Sequence, residues 1–492
     1  MKKFILSIDQ GTTSSRAILF DKNGQLIASA SKEISLIYPN EGYVEADPLE
    51  IWSSVVDVIN NVLIKANTRW SEIDSVGITN QRETTVVWDK KTGFPIYNAI
   101  VWQSRQSLDI CEKLAKKETI IHNKTGLLIN PYFSASKIRY ILDHVKGAQE
   151  KAEKGELLFG TIDTWVIWKL TDGKSHATDT TNASRTMLFN IFDLCWDKDL
   201  LDMFNIPESM LPKVYSSKHD FGKLEYFGQD VHILGVAGDQ QASLFGHTCF
   251  KPGDCKNTYG TGCFMLMNTG EKPILSNNGL LTTIAWTLDG KTTYALEGSV
   301  FIGGAAIQWL RDGIKIIKEA PECDVCASQV KDNGGVYFVP AFVGLGTPYW
   351  DDEVRGTLLG ITRGTTRNHI VLATLQAIAF QSKDVFDVMS DESQIEIKSL
   401  QVDGGATNSK VLMQFQSDIL GIEIKKPSCL ESTALGACYF AGLQSGFFKD
   451  INEIKECHSF QETYIPSIKA VDAQKMCKAW SKAVESARRF KI

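Results

Sequence analysis

The first thirty residues alternate short apolar runs with polar turns. Phe4-Ile5-Leu6-Ser7-Ile8 suits a buried strand, Arg16-Ala17-Ile18-Leu19-Phe20 a second, and Leu26-Ile27-Ala28 begins a third. The polar segment Asp9-Gln10-Gly11-Thr12-Thr13-Ser14-Ser15 separates the first two. Asn23-Gly24, the strongest two-residue hairpin signal, precedes the third. From Pro48 the period changes: Leu49, Ile51, Trp52, Val55, Val56, Ile59, Val62 and Leu63 recur at three- and four-residue steps, which predicts an amphipathic helix. Another strand, over residues 75–79, leads into Asn80-Gln81-Arg82-Glu83-Thr84-Thr85. Strands followed by helices in this order predict an α/β layered domain.

The pattern then partly repeats. The apolar run 231–237 ends in Gly238-Asp239-Gln240-Gln241-Ala242 and echoes Ile8-Asp9-Gln10-Gly11. Residues 256–264 form a small, hydroxyl-rich turn between apolar stretches, and residues 400–402 feed the corner Gly404-Gly405 ahead of a helix from about 409 to 420. Two similar halves meeting near residues 245–255, each offering a carboxylate at a strand end, predict a ligand cleft between related domains. Chain length agrees, because 492 residues exceed one ordinary core.

Composition narrows the function classes. The chain is 43% hydrophobic and 22% charged, which is ordered and globular, and its formal charge is −6 without a long basic run. Nucleic acid is therefore not the expected partner. The N-terminal apolar run stops at Asp9, short of the roughly 7–15 residues of a signal core. No run approaches the roughly 18 residues of a membrane span. A cytoplasmic location without membrane insertion is expected. Eleven scattered cysteines read as reduced core thiols, and Cys323-x-x-Cys326 lacks the second ligand pair of a structural zinc site.

Two decoys fall away. Gly173-Lys174-Ser175 and Gly290-Lys291-Thr292 end like a phosphate-binding P-loop, but Trp168 and Ala285 stand where its first glycine is required. Asp289-Gly290 is better read as a hairpin turn. What remains is the octet from Asp9 to Arg16. One glycine and four consecutive hydroxyls present N–H and O–H donors to a small volume that suits phosphate, and Arg16 adds a forked cation. Asp9 can hold Mg²⁺, which takes few carboxylates and keeps several waters. Phosphoryl transfer also needs a carboxylate that accepts the attacking hydroxyl's proton, and Asp239 suits that role.

These residues resemble the FGGY carbohydrate kinases. The resemblance is carried by residues 7–17, by Gly77-Ile78-Thr79-Asn80-Gln81-Arg82-Glu83-Thr84-Thr85, by Val101-Trp102-Gln103-Ser104-Arg105 and by Gly238-Asp239-Gln240-Gln241-Ala242. Residues 257–262, 307–312, 356–360 and 431–436 extend it over nearly the whole chain. It implies a two-domain actin-like ATPase (ribonuclease H-like) fold of the α/β class with an inter-domain cleft. The N-terminal domain would span 1–246 and the C-terminal domain 247–492. It also implies phosphoryl transfer from ATP, with Mg²⁺, to glycerol, giving sn-glycerol 3-phosphate. Carried over by residue, Arg82, Glu83, Tyr132, Asp239 and Gln240 would bind the acceptor's hydroxyls, with Asp239 as base. Trp102 and Phe264 would pack on its carbons. Thr12, Thr13, Ser14 and Arg16 would form the phosphate loop, and Thr261, Gly304, Gln308, Gly405 and Ser409 the nucleotide side. Asp9 and Asp239 would hold the metal.

Three positions depart from the family pattern. Ser409 stands where an adenine-side Asn is usual, and Tyr140 replaces a Trp. The loop 213–231 lacks both the sugar-bisphosphate stretch and the phosphorylatable histidine of some relatives. Another polyol or a ketose as acceptor, and a non-catalytic ATP-binding sensor, remain alternatives. A homodimer or homotetramer is compatible with the chain.

Overall fold

The computed structural model describes residues 2–490. Its first sheet is built from β1 (Phe4–Gln10), β2 (Ser14–Phe20), β3 (Leu26–Glu33), β4 (Ile73–Asn80), β5 (Lys218–Lys223) and β6 (His232–Gly238), in the order β5-β6-β4-β1-β2-β3. The second contains β7 (Cys255–Tyr259), β8 (Cys263–Gly270), β9 (Leu281–Leu288), β10 (Lys291–Val300), β11 (Ser399–Asp403), β12 (Glu423–Pro427) and β13 (Phe460–Tyr464), in the order β9-β10-β8-β7-β11-β12-β13. Each sheet holds the same unit. An antiparallel meander is joined through its first strand to two parallel strands, β3-β2-β1-β4-β6 in one and β10-β8-β7-β11-β12 in the other. This is the two-domain ribonuclease H-like architecture.

The repeat runs differently from the sequence echo. The counterpart of the β1–β2 hairpin is the β7–β8 hairpin, whereas the run ending at Asp239 is the fifth strand of the first sheet. An apolar strand ending in Asp-Gln is simply what a buried parallel strand looks like where its C-terminal end carries polar work. Asp9 and Asp239 therefore do not come from opposed halves. Both leave one sheet, at the ends of β1 and β6, on either side of β4.

Most predicted elements form where the pattern put them. Helix α1 (Pro48–Lys65) buries Ile51, Val55, Val58, Ile59 and Val62, and the Asp47 carboxylate caps it by accepting from Leu49 N. Asp289 and Gly290 make a two-residue hairpin with φ of 49° and 78°. The Asn23-Gly24 turn is longer than predicted. Phe20 pairs with Leu26, and the Asp21 carboxylate accepts from the Asn23 and Gln25 amides, so the side chain organises a five-residue loop.

Helices α2 (Asp239–Gly246), α3 (Lys410–Leu420) and α4 (Ser432–Ser445) follow β6, β11 and β12. Although α4 belongs to the second half of the chain, it packs on β1, β4 and β6 of the first sheet and against α2. Glycine makes the approach possible: a Cβ on Gly77 would lie 2.2 Å from the Ala437 carbonyl oxygen, and one on Gly436 1.9 Å from that of Ala242. The two lobes thus share a buried cluster that includes Ile5, Phe20, Phe245, Trp286 and Phe440. Among the described residues no helix is long and apolar enough to cross a membrane.

Candidate active site

The ends of β1, β4 and β6 converge, so three polar segments meet at one edge of the first sheet. The β1–β2 turn is closed by Gly11 N donating to Ser14 O at 2.9 Å. It is buttressed from β4, where Gln81 Nε2 donates to Gln10 Oε1 and to Gly11 O. Thr12, Thr13 and Ser14 remain accessible at its tip. Arg16 pairs in register with Asp9, its Nε 3.9 Å from Asp9 Oδ2, and its Nη1 donates to Glu431 at 2.8 Å. Burial pushes the Asp9 carboxyl up to about 6, opposed by Arg16 and reinforced by the nearby charge of Asp239. Asp9 and Asp239 are thus close enough to sense each other. Among the described residues no group of three His, Cys, Asp or Glu side chains is placed to hold a metal. Asp9 and Asp239 are carboxylates of the kind Mg²⁺ takes in small number while keeping much of its water.

Beyond β4 the chain turns sharply at Glu83, whose φ of +60° places a non-glycine residue in the left-handed region. Ser134 Oγ and Thr85 Oγ1 both donate to the Glu83 carbonyl and hold this turn. Its side chain meets a network with almost no solvent contact. Arg185 Nε donates to Glu83 Oε1 at 2.6 Å, and Arg185 Nη2 to Glu297 Oε1 at 3.0 Å. Arg82 grips Glu297 with both Nη1 and Nη2, the latter at 2.9 Å. Arg82 Nη1 also reaches Gln241 Oε1, and its Nε lies 3.2 Å from Asp239 Oδ1. Burial works against ionised Glu297, but Arg185 and Arg82 prevail and bring its carboxyl down to about 2. Burial raises the Asp239 carboxyl, opposed by Arg82 and Lys256. Only Asp239 in this group opens to the cleft, its side chain 30% exposed.

Aromatic rings wall the same space. Trp102 stands edge-on to Tyr132 at 5.5 Å between centroids and to Phe264 at 6.3 Å. Trp102 Nε1 donates to Thr12 Oγ1 at 2.9 Å and ties this wall to the β1–β2 turn. The Tyr132 loop is held from beneath by Lys137, whose buried ammonium donates to the carbonyls of Pro131, Tyr132 and Phe133. Gln240 Oε1 accepts from Lys256, which also donates to Thr258 Oγ1. Lysine only donates, so the Gln240 amide group faces away from it.

Across the cleft, Thr261 caps the β7–β8 hairpin and its carbonyl accepts from the Gly303 and Ala305 amides. Gly304 N donates to Gly260 O at 2.8 Å, and a Cβ there would sit 2.7 Å from the same oxygen. Gly405 is exposed and would meet nothing with an added Cβ, while Gly404, with φ of 91°, backs onto the Tyr259 main chain. Gln308 is exposed on its short helix. Ser409 is otherwise engaged: its hydroxyl caps α3 by accepting from Leu412 N and donates to Asp324. Asn408 Oδ1 accepts from Lys426. Cys323 and Cys326 are buried thiols on one helix, on either side of Asp324.

Profiles of the FGGY family of carbohydrate kinases match residues 4–246 with the N-terminal domain and 255–445 with the C-terminal domain. The chain belongs to the FGGY family of carbohydrate kinases. The kinase is 56% identical to a glycerol kinase of Bacillus cereus (strain AH187) and to one of Bacillus anthracis (strain CDC 684 / NRRL 3495), each over 100% of both chains. Its fold superposes on the Plasmodium falciparum glycerol kinase solved with ADP with a TM-score of 0.92, at 35% identity and over 98% of each chain. Gluconate kinase from Lactobacillus acidophilus shares the fold alone, at a TM-score of 0.90 and 24% identity over 99% of each chain.

Arg185, Glu297, Lys256 and Lys137 were not singled out by sequence. Glu297 had a readable signal, an ionisable residue within Tyr294-Ala295-Leu296-Glu297-Gly298, whereas Arg185 and Lys256 stand among polar neighbours, Asn182-Ala183-Ser184 and Asn257-Thr258. What the sequence did not carry was their convergence beneath one pocket.

Proposed function

We propose that this FGGY kinase transfers the γ-phosphoryl group of ATP to a terminal hydroxyl of glycerol, giving sn-glycerol 3-phosphate and ADP. The observation that carries the reading is the Asp239 carboxylate, the one open charge in a buried ion network. It leaves the same sheet edge as Asp9 and the β1–β2 turn, and Arg82 holds it at 3.2 Å. The relatives at 56% identity over their whole length support glycerol as the acceptor.

In this reading the triol lies with its carbons against Trp102 and Phe264 and its hydroxyls toward Arg82, Glu83, Tyr132, Asp239 and Gln240. Glu83 and Asp239 accept, and Arg82 and the Gln240 amide donate. Such a site rejects analogues lacking a hydroxyl, because a buried polar group would be left unpaired. Asp239 takes the proton of the attacking hydroxyl as the new P–O bond forms and the bond to ADP breaks. Thr12, Thr13, Ser14 and Arg16 orient the transferred group. Thr261, Gly304, Gln308 and Gly405 line the nucleotide side, and Ser409 acts there indirectly by fixing the start of α3. Asp9 and Asp239 would hold Mg²⁺, which supplies charge neutralisation for the phosphates when bound. A domain division at 246/247 would place the acceptor base and phosphate loop in one domain and the nucleotide side in the other. Cytoplasmic action as a homodimer or homotetramer is compatible with this reading.

The test is a substrate panel with coupled detection of ADP. Glycerol should give the highest kcat/KM. Faster turnover of any pentulose, of erythritol or of gluconate refutes the assignment.

A further inference from the structure

Arg82 carries five N–H donors in a fixed fork, and such a fork ordinarily recruits carboxylates and phosphates. Here the fork is occupied from below. Nη1 and Nη2 both donate to Glu297, Nη1 donates again to Gln241, and Nε faces Asp239 at 3.2 Å. Glu297 is fully buried and comes from β10, in the other half of the chain. It also accepts from Arg185, which in turn donates to Glu83. The charges that meet around Arg82 are therefore two guanidinia, Arg82 and Arg185, and three carboxylates, Glu83, Glu297 and Asp239. Within this contacting set the carboxylates outnumber the guanidinia by one, and Lys256, beyond Gln240, faces Asp403 as well as Asp239 and Glu297.

A buried set of charges in which no cation is in excess has a consequence for the ligand. A neutral acceptor enters without needing a countercharge. A negatively charged one finds no unmatched cation and faces Asp239 and Glu83 at close quarters, where low polarisability strengthens the repulsion. We propose that Glu297 is a positioning residue that sets the charge of the acceptor: by holding both terminal nitrogens of Arg82, it makes the pocket fit an uncharged polyol and turn away an anionic one. The inference rests on the proposed acceptor site and extends it to a residue in the second half of the chain that no hydroxyl need touch. It also accounts for Glu297 and Arg185 together. Without Arg185, Glu297 would face one guanidinium while Glu83 lost its own partner.

The experiment uses the full chain and steady-state ADP release, with glycerol as substrate and racemic glycerate as competitor, in the wild type, Glu297→Gln and Glu297→Gln/Arg185→Met. Glycerate replaces one CH₂OH of the triol with a carboxylate. The wild type should turn over glycerol and be inhibited by glycerate only far above the glycerol KM. Glu297→Gln should raise the glycerol KM about tenfold, as expected for a lost charged hydrogen bond, with the KM for ATP unchanged within about twofold. Its inhibition constant for glycerate should fall by about tenfold or more, a gain that mere loosening of the fold would not give. The double variant restores the charge sum, so its glycerate inhibition should return to the weak wild-type level while the glycerol KM stays high. Unchanged or weaker glycerate inhibition in Glu297→Gln overturns the proposal, as does equally strong inhibition in the double variant. If Glu297→Gln does not fold, the double variant decides, and a wild-type glycerol KM there overturns the proposal. Wild-type enzyme that fails to turn over glycerol would instead count against the acceptor assignment itself.

Discussion

Replacing Asp239 with Asn isolates the proton-accepting role, because the structure lets most other interactions persist. Asp239 Oδ1 accepts from Gln240 N at 2.7 Å, which an asparagine oxygen can also do. Arg82 stays anchored by Glu297, so the guanidinium does not follow the lost charge. The variant should therefore bind glycerol with Kd within several-fold of the wild type. General-base assistance contributes roughly 10²–10⁴-fold, and kcat should fall by that factor, about 3–5 kcal/mol in the barrier. Stopped assays of ADP release report kcat, and equilibrium binding of glycerol reports Kd. Near-normal kcat would place the base elsewhere. A Mg²⁺ titration adds a second way to fail: if high Mg²⁺ restores turnover, Asp239 serves to hold the ion and not to take the proton.

Other expectations follow from the surrounding shell. Trp102→Phe keeps a ring against Tyr132 and Phe264 but removes the donor to Thr12. The loss of roughly 0.5–1.5 kcal/mol should raise KM for both substrates about two- to tenfold, measured in the same assay, and an effect on glycerol alone would mean the link to the phosphate turn is idle. Gly404→Ala forces a side chain onto a backbone with φ of 91° and 2.5 Å from the Tyr259 carbonyl oxygen. It should cost about 1–3 kcal/mol or more in denaturant unfolding, with weaker ATP binding. Burial brings the Lys137 ammonium down to about 7, while the unfolded chain titrates near 10.5. Between those values the unfolded state holds the extra proton, so wild-type stability should rise with pH relative to Lys137→Met, by up to about 1.4 kcal/mol per unit, and be flat below 7. Parallel pH profiles of unfolding midpoints for the two proteins would contradict this.

Local signals carried the sequence a long way. The first three strands, α1 and the Asp289-Gly290 hairpin each arise from a period or a turn dipeptide confined to a few residues, so they were legible. The strand-end segments at Asp9, Arg82 and Asp239 were legible too, because polar residues after apolar strands mark the working edge of a sheet. The pairing of strands was not. Asp239 was read as the mirror of Asp9 across a gap, and only the order β6-β4-β1 places both on one sheet. Ser409 shows a different limit: a hydroxyl before a helix reads equally as a ligand donor or a cap, and the bond to Leu412 N makes it a cap. Glu297 and Arg185 lie 112 residues apart, and nothing in their neighbourhoods announces that they meet.

The seat of α4 on the first sheet has a consequence for how the protein is made. When the ribosome has finished β6, the apolar faces of β1, β4 and β6 still await a helix encoded some two hundred residues downstream. At 5–20 residues per second that interval is roughly 10–40 s, during which the nascent half exposes a sticky surface. A truncated N-terminal half should therefore be a poor candidate for expression by itself, and early chaperone protection of the growing chain has a defined address, the bare groove around Gly77 and Gly235.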